Sequence, residues 1–263
     1  MESKPFHTLK VGVFDSGLGG LTVLSELTKV SSGVKFFYLG DTARVPYGIR
    51  SDETIVEYSL ECARFLLKFG IDVLVIACNT ASAKATESLK KEFPFLKIFE
   101  VITPAVDVVS VTAKSSVGII GTPATVESNV YLERLEFLNP SLEIFQKPTP
   151  LLVPLVEEGL TDGKVVFEVL KHYLWEWKEK IDTLLLGCTH YPLLEYSIKK
   201  LFPHWGIVNS AKPLAQKLKP ILNFGGKNEI RLYFTDKTAF LEEMVYRIPL
   251  KGKIKRLEIG NLL

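Results

Sequence analysis

The sequence predicts an α/β fold built as two pseudo-symmetric, doubly wound α/β domains with parallel-type sheets. Three observations carry this. Short runs of consecutive aliphatic residues alternate with longer helical patterns along almost the whole chain. The segment Val11-Gly12-Val13-Phe14-Asp15 is echoed about one hundred residues later by Val117-Gly118-Ile119-Ile120-Gly121. A cysteine ends an apolar run twice, in Ala77-Cys78-Asn79-Thr80 and in Gly187-Cys188-Thr189-His190. Strands apolar at consecutive positions are buried on both faces, which is the parallel-sheet signature. A chain that repeats itself at this scale folds as two similar units.

The first strand, Val11 to Phe14, runs into Asp15-Ser16-Gly17-Leu18-Gly19-Gly20, which opens a helical segment. Glycines there permit a sharp turn, and free N–H groups at a helix start attract anions. The spacing is not Gly-x-Gly-x-x-Gly, so a nucleotide-cofactor loop is the weaker reading. The favoured one is a tight turn presenting Asp15 and Ser16 to a cleft; a purely structural turn is the alternative.

Phe36-Phe37-Tyr38-Leu39 reads as the second strand, followed by Asp41-Thr42-Ala43-Arg44-Val45-Pro46-Tyr47-Gly48. Pro46 fixes the chain and Gly48 leaves its amide accessible, so the loop can offer backbone donors to a carboxylate. By composition an ordinary surface loop fits as well. A helix then begins at an N-cap, Ser51, buries Ile55, Cys62, Leu66 and Phe69 on one face, and stops at Gly70. Further strands follow at Val73 to Ala77, Ile98 to Ile102, Val117 to Ile120, Leu184 to Leu186, Ile207-Val208 and Ile230 to Phe234. Pro104 and Pro213 mark the crossings, giving one domain of residues 1–102 plus 211–263 and a second of residues 103–210.

Bulk properties narrow the function. A formal charge of +2 over 263 residues is too mild to argue for nucleic acid or a membrane surface. No apolar run approaches the length of a membrane span, and Met1 to Lys10 lacks the apolar core of a leader. Three cysteines without close spacing suit a reducing compartment, and a cytoplasmic enzyme is expected. No His, Cys, Asp and Glu cluster has metal-ligand spacing. The run Lys251 to Arg256 reads as a solvated turn or an edge-strand approach.

Free cysteines are usually buried small hydrophobes, and Cys62, on the apolar stripe of a helix, reads that way. Cys78 and Cys188 differ because each ends a strand and precedes polar residues, where ligands bind in open parallel sheets. Two thiols so placed suit a pair of acid/base groups facing one substrate. His190, two residues past Cys188, is placed to relay protons to it, and Glu157, ending a short apolar stretch, to orient the imidazole. His7, His172 and His204 have no motif around them and are expected at the surface or at boundaries.

Together these segments resemble the glutamate racemase family. The matching stretches are Phe14 to Gly20, Asp41 to Gly48, Ala77 to Ser82 and Gly187 to Pro192, in order across nearly the whole chain; Gly118 to Thr122, with Tyr131 downstream, is a weaker echo. The chain departs from the family in carrying Asn209-Ser210 where Asp-Ser is common. The resemblance implies an active site in the cleft between the two domains and direct interconversion of L- and D-glutamate, supplying D-glutamate for peptidoglycan. It implies no cofactor and no metal. By family position, Cys78 takes the Cα proton from the D-isomer and Cys188 from the L-isomer. Asp15 would support Cys78, and His190 with Glu157 would support Cys188. Asp15, Ser16, Tyr47, Gly48, Asn79, Thr80, Thr189 and His190 would contact substrate. His190 favours glutamate over aspartate, since aspartate-directed relatives generally carry Glu there. Family members are often dimers, so a homodimer is the implied assembly. A two-lobed binding or redox-sensing protein and a nucleotide-dependent enzyme are the competing classes.

Overall fold

The computed structural model describes residues 8–238, 240–260 and 263; His7 lies outside the described residues. The chain begins β1 (Lys10–Asp15), α1 (Leu21–Val30), β2 (Lys35–Gly40), α2 (Asp52–Leu67), β3 (Val73–Ile76), α3 (Asn79–Glu92), β4 (Lys97–Glu100) and α4 (Ile102–Thr112). It continues with β5 (Ser116–Gly121), α5 (Pro123–Glu127), α6 (Val130–Leu138), β6 (Glu143–Pro148), α7 (Leu152–Glu157), α8 (Lys164–Leu174), β7 (Thr183–Gly187), α9 (Glu195–Leu201) and β8 (Gly206–Asn209). It closes with α10 (Ala211–Leu218), β9 (Glu229–Phe234), α11 (Leu241–Arg247) and β10 (Lys253–Ile259).

The strands form two parallel sheets, a six-stranded one ordered β10-β9-β2-β1-β3-β4 and a four-stranded one ordered β6-β5-β7-β8. Each has an apolar layer on both faces. Val11, Val13 and Val75 face one side of the larger sheet, while Phe14, Leu74 and Ile76 face the other. In the smaller sheet Ile120, Leu184 and Leu186 face one layer, and Val117, Ile119 and Leu185 the other. Each such side chain removed from water contributes about 1.5–3 kcal/mol, which is why consecutive rather than alternate apolar positions mark these strands.

The repeat seen in the sequence is a repeat of register. Strand order β2-β1-β3-β4 in one sheet matches β6-β5-β7-β8 in the other. Gly12 pairs with Leu74 as Gly118 pairs with Leu184. A Cβ on Gly12 would stand 2.7 Å from Ile71 Cδ1, and one on Gly118 would stand 2.7 Å from Ile181 Cδ1. The carboxylate after each isoleucine accepts backbone amides at the start of the neighbouring strand, Asp72 from Lys10 at 2.8 Å and Asp182 from Ser115 at 2.7 Å. Cys78 and Cys188 therefore leave equivalent strands at equivalent points. Both strands adjoin the place where strand order reverses, and there the carboxyl ends of a parallel sheet open a crevice.

Ser51 caps α2, its Oγ accepting Thr54 N at 3.3 Å, and Gly70 takes a positive φ of 64° just past the helix. His172 and His204 are exposed. The strand read at Ile98 to Ile102 instead spans Lys97 to Glu100, and Ile102 opens α4. The strand β6 was not legible: it is an edge strand of mixed, half-exposed residues without an apolar run. Lys253 to Arg256 lie within the edge strand β10 itself. Among the described residues no helix is long and apolar enough to cross a membrane.

Candidate active site

Cys78 sits between the end of β3 and the first turn of α3. Small residues follow it, Asn79-Thr80-Ala81-Ser82, so the helix starts at once, and the Cys78 Sγ accepts the otherwise unpaired Ala81 N–H at 3.5 Å. The thiol in turn donates to Ser16 Oγ, 3.5 Å away, on the turn after β1. Burial pushes the Cys78 thiol up to about 12, and the Asp15 charge adds to this; the Ser16 and Ala81 bonds pull the other way. Cys78 rests as a protonated thiol.

Cys188 leaves β7 at the mirrored point, with different partners. His190 Nδ1 lies 3.7 Å from its Sγ, and His190 Nε2 lies 3.1 Å from Glu157 Oε1 at the end of α7. Burial of the ring works against the imidazolium, but its bonds to Cys188 and Glu157 outweigh that and raise His190 to about 10. The imidazole side chain is 3% exposed and the Glu157 side chain 28%, so the dyad runs from the thiol toward solvent. Gly19 makes room for it: a Cβ there would stand 2.4 Å from Thr189 Oγ1 and 2.6 Å from His190 Nδ1.

Asp15 ends β1, fully buried. Its carboxylate accepts Gly17 N at 3.0 Å and, across the cleft, Thr189 Oγ1 at 3.2 Å. Burial raises its pKa; the His190 charge and the bonds from Gly20, Gly17 and Thr189 offset part of this. Its bonds thus join its own turn, at Gly17, to Thr189 of the second half, and its charge helps raise the Cys78 pKa.

Between the two sets of strand ends lies a narrow cavity. Ser16, Tyr47, Gly48, Cys78, Asn79, Thr80, Cys188, Thr189 and His190 line it, with Val45, Pro46, Thr122 and Val153. Asp15 and Glu157 stand behind this lining, on Thr189 and His190. The Tyr47 hydroxyl donates to the buried Asp41, which fixes the turn carrying the Gly48 amide. The Thr80 hydroxyl pairs with Thr122 at 2.9 Å and with Thr125 at 3.2 Å.

Sequence reasoning missed Thr122 and Val153 as lining residues. The repeat held a signal for the first: aligning Asp15-Ser16 with Gly121-Thr122 puts Thr122 where Ser16 stands in the other half. Val153, on a short helix without a motif, left none. The same alignment exposes the asymmetry of the site. Thr80 stands where His190 does, and Gly121 where Asp15 does. One thiol therefore has a charged relay and the other a hydroxyl and a backbone amide. Two proton-carrying groups from opposite halves, with a ring of hydroxyl and amide donors between them, can take a proton from one face of a small anionic substrate and return one to the other.

The family model described as Asp/Glu/Hydantoin racemase matches residues 22–218. A glutamate racemase of Aquifex aeolicus is 48% identical over 238 residues, covering 90% of this chain and 92% of that protein. A crystal structure of glutamate racemase from Francisella tularensis in complex with D-glutamate superposes with a TM-score of 0.88 at 34% identity, covering 97% of this chain and 98% of the other. Escherichia coli glutamate racemase, crystallised with L-glutamate and an activator, superposes with a TM-score of 0.79 at 27% identity, covering 97% and 99%.

Proposed function

The chain belongs to the Asp/Glu/hydantoin racemase family, and from that premise we propose that it interconverts L- and D-glutamate by proton transfer at Cα between Cys78 and Cys188. The observation that carries the reading is that two thiols from opposite halves share one small cavity with unlike partners. Starting from L-glutamate, the Cys188 thiolate, held by the His190 imidazolium, takes the Cα proton. The C–H electron pair is left on Cα, delocalised into the adjacent carboxylate. The Cys78 thiol then gives its proton to the opposite face, leaving D-glutamate, a Cys188 thiol and a Cys78 thiolate. From D-glutamate the same steps run in reverse. Two opposed bases spare either one from crossing the substrate, and neither needs a cofactor for this exchange.

Developing charge on the substrate needs preorganised donors in a site closed to water. The Gly48 amide and the side chains of Ser16, Asn79, Thr80, Thr189 and Thr122 are the groups we assign to it, with Tyr47 holding the turn. Asp15 ties Thr189 across the cleft and sets the field at Cys78.

The coarser features of the reading are supported in other ways. The division into residues 1–102 plus 211–263 and residues 103–210 is favoured by the strands each sheet draws on. A cytoplasmic location, where D-glutamate is made available to peptidoglycan synthesis, suits three free cysteines. A homodimer is the assembly we expect from the family.

Incubation of the purified chain with L-glutamate in D2O, without added pyridoxal phosphate or metal, tests the function. Deuterium entering Cα together with loss of optical rotation is the expected result. Folded protein that exchanges L-aspartate but not L-glutamate would move the substrate to the shorter acid; exchange of neither would overturn the racemase reading.

A further inference from the structure

Tyr131 touches both cysteine motifs from behind. It sits in the first turn of α6, in the second half, and is 1% exposed. Its ring edge lies against Gly187, the residue before Cys188: a Cβ on Gly187 would stand 3.2 Å from Tyr131 Cε2. Its hydroxyl donates to Asn79 Oδ1, on the residue after Cys78, at 2.6 Å. One rigid side chain thus spans the gap between the strand ends that carry the two thiols. Resting on the two-thiol reading above, we propose that Tyr131 is a positioning residue for the racemisation, its hydroxyl orienting the Asn79 amide toward substrate and tying the two halves together at the site.

Four further contacts give this direction. An asparagine amide has two N–H donors and one acceptor oxygen. With Oδ1 committed to Tyr131, Nδ2 gives one N–H to Ser210 Oγ at 3.3 Å. The second N–H belongs to a side chain that lines the cavity, as a donor suited to an amino-acid carboxylate. Without the phenol, the amide is free to turn its oxygen toward that carboxylate, which repels it. The phenol is itself held. Arg134, one turn along α6, bonds Thr103 and Glu100. Glu100 ends β4 and accepts Thr103 N at 3.0 Å at the start of α4. The helix bearing Tyr131 is thereby pinned where the chain crosses between the sheets. Burial pushes the phenol well above its ordinary pKa, with the Glu100 and Cys188 charges adding, so it remains a donor throughout the working range.

A plain core role accounts for the ring, which packs with Ile119, Leu135 and Leu185. It does not account for the hydroxyl, so Tyr131→Phe separates the two. The readout is D-glutamate affinity by calorimetry and KM by polarimetry, in the wild-type and the Asn79→Ala backgrounds. Tyr131→Phe is expected to keep the thermal midpoint within a few degrees and weaken affinity about tenfold, the worth of one oriented hydrogen bond. In the Asn79→Ala background the same change is expected to alter affinity less than twofold, because the amide it orients is gone. Equal losses in both backgrounds, or a Tyr131→Phe affinity within twofold of wild type, would overturn the proposal. Wild-type protein that fails to racemise glutamate in the same assay marks failure of the two-thiol reading instead.

Discussion

His190 stands between two acceptors, Cys188 Sγ at 3.7 Å from Nδ1 and Glu157 Oε1 at 3.1 Å from Nε2. Cys78 has no such neighbour among the described residues; Ser16 Oγ and the Ala81 amide are its partners. The two thiols of one cavity are thus held in unlike protonation environments, one beside a buried cation and one kept neutral.

Glu157 helps hold His190 at about 10, above its ordinary 6.5. A group raised on folding contributes stability that is full below the unfolded value and is lost as pH rises through the folded one. Both fold stability and the imidazolium beside Cys188 therefore decline as pH climbs from about 6.5 through 10. Glu157→Gln should lower kcat/KM from L-glutamate by about ten- to a hundredfold and bring the alkaline limb to lower pH. A pH–rate profile whose alkaline limb stays in place would remove Glu157 from the relay.

Removing either thiol should stop inversion while leaving the fold. Cys78→Ala and Cys188→Ala each vacate little buried volume, costing about 1 kcal/mol, but should reduce racemisation by about a thousandfold or more. Residual Cα deuteration in Cys78→Ala should be confined to L-glutamate, and in Cys188→Ala to D-glutamate. Near wild-type turnover in either variant would sink the two-base scheme.

The Asp15 charge helps hold the Cys78 proton in place, second to burial. Asp15→Asn should therefore make Cys78 ionise at lower pH and react faster with iodoacetamide at pH 8, as mass spectrometry of the modified thiol would record. Burial also raises the Asp15 pKa. Such a carboxyl stabilises the fold fully below its unfolded value and loses that contribution as pH rises through the folded one. Asp15→Asn should thus raise the thermal midpoint at alkaline pH while lowering kcat. An unchanged alkylation rate would show that Asp15 does not act on Cys78 through charge.

Gly12 and Gly118 let an isoleucine cross each sheet at the same place. A Cβ at Gly118 would also meet Trp177 Cε3 at 2.9 Å, a rigid ring, whereas at Gly12 the next contacts are Ile71 Cγ2 and Leu66 Cβ, both at 3.3 Å. Both alanine variants should be destabilised by about 1–3 kcal/mol, Gly118→Ala the more. Chemical denaturation measures this, and the reverse ranking would contradict the packing described.

The parts that repeat over short stretches were readable from residues alone. β1, β3, β5 and β7 are buried on both faces, so each reads as an unbroken apolar run, and the cysteine at the end of two of them is a local signal. Edge strand β6, half-solvated, has no such run, and Thr122 was visible only through the alignment of the two halves.

What the sequence by itself determined is the α/β class, the doubled pattern and the identity of the groups at the strand ends. Those follow from periodicity and from chemistry local to a few residues. The tertiary structure decided which groups meet: Asp15 reaching Thr189, Tyr131 reaching Asn79, and the contact that turns the expected pairing of Glu157 with His190 into a hydrogen bond. These pairs lie 174, 52 and 33 residues apart. Nothing in local propensity encodes them, because they arise only when two sheets, each satisfied internally, are packed with their strand ends face to face.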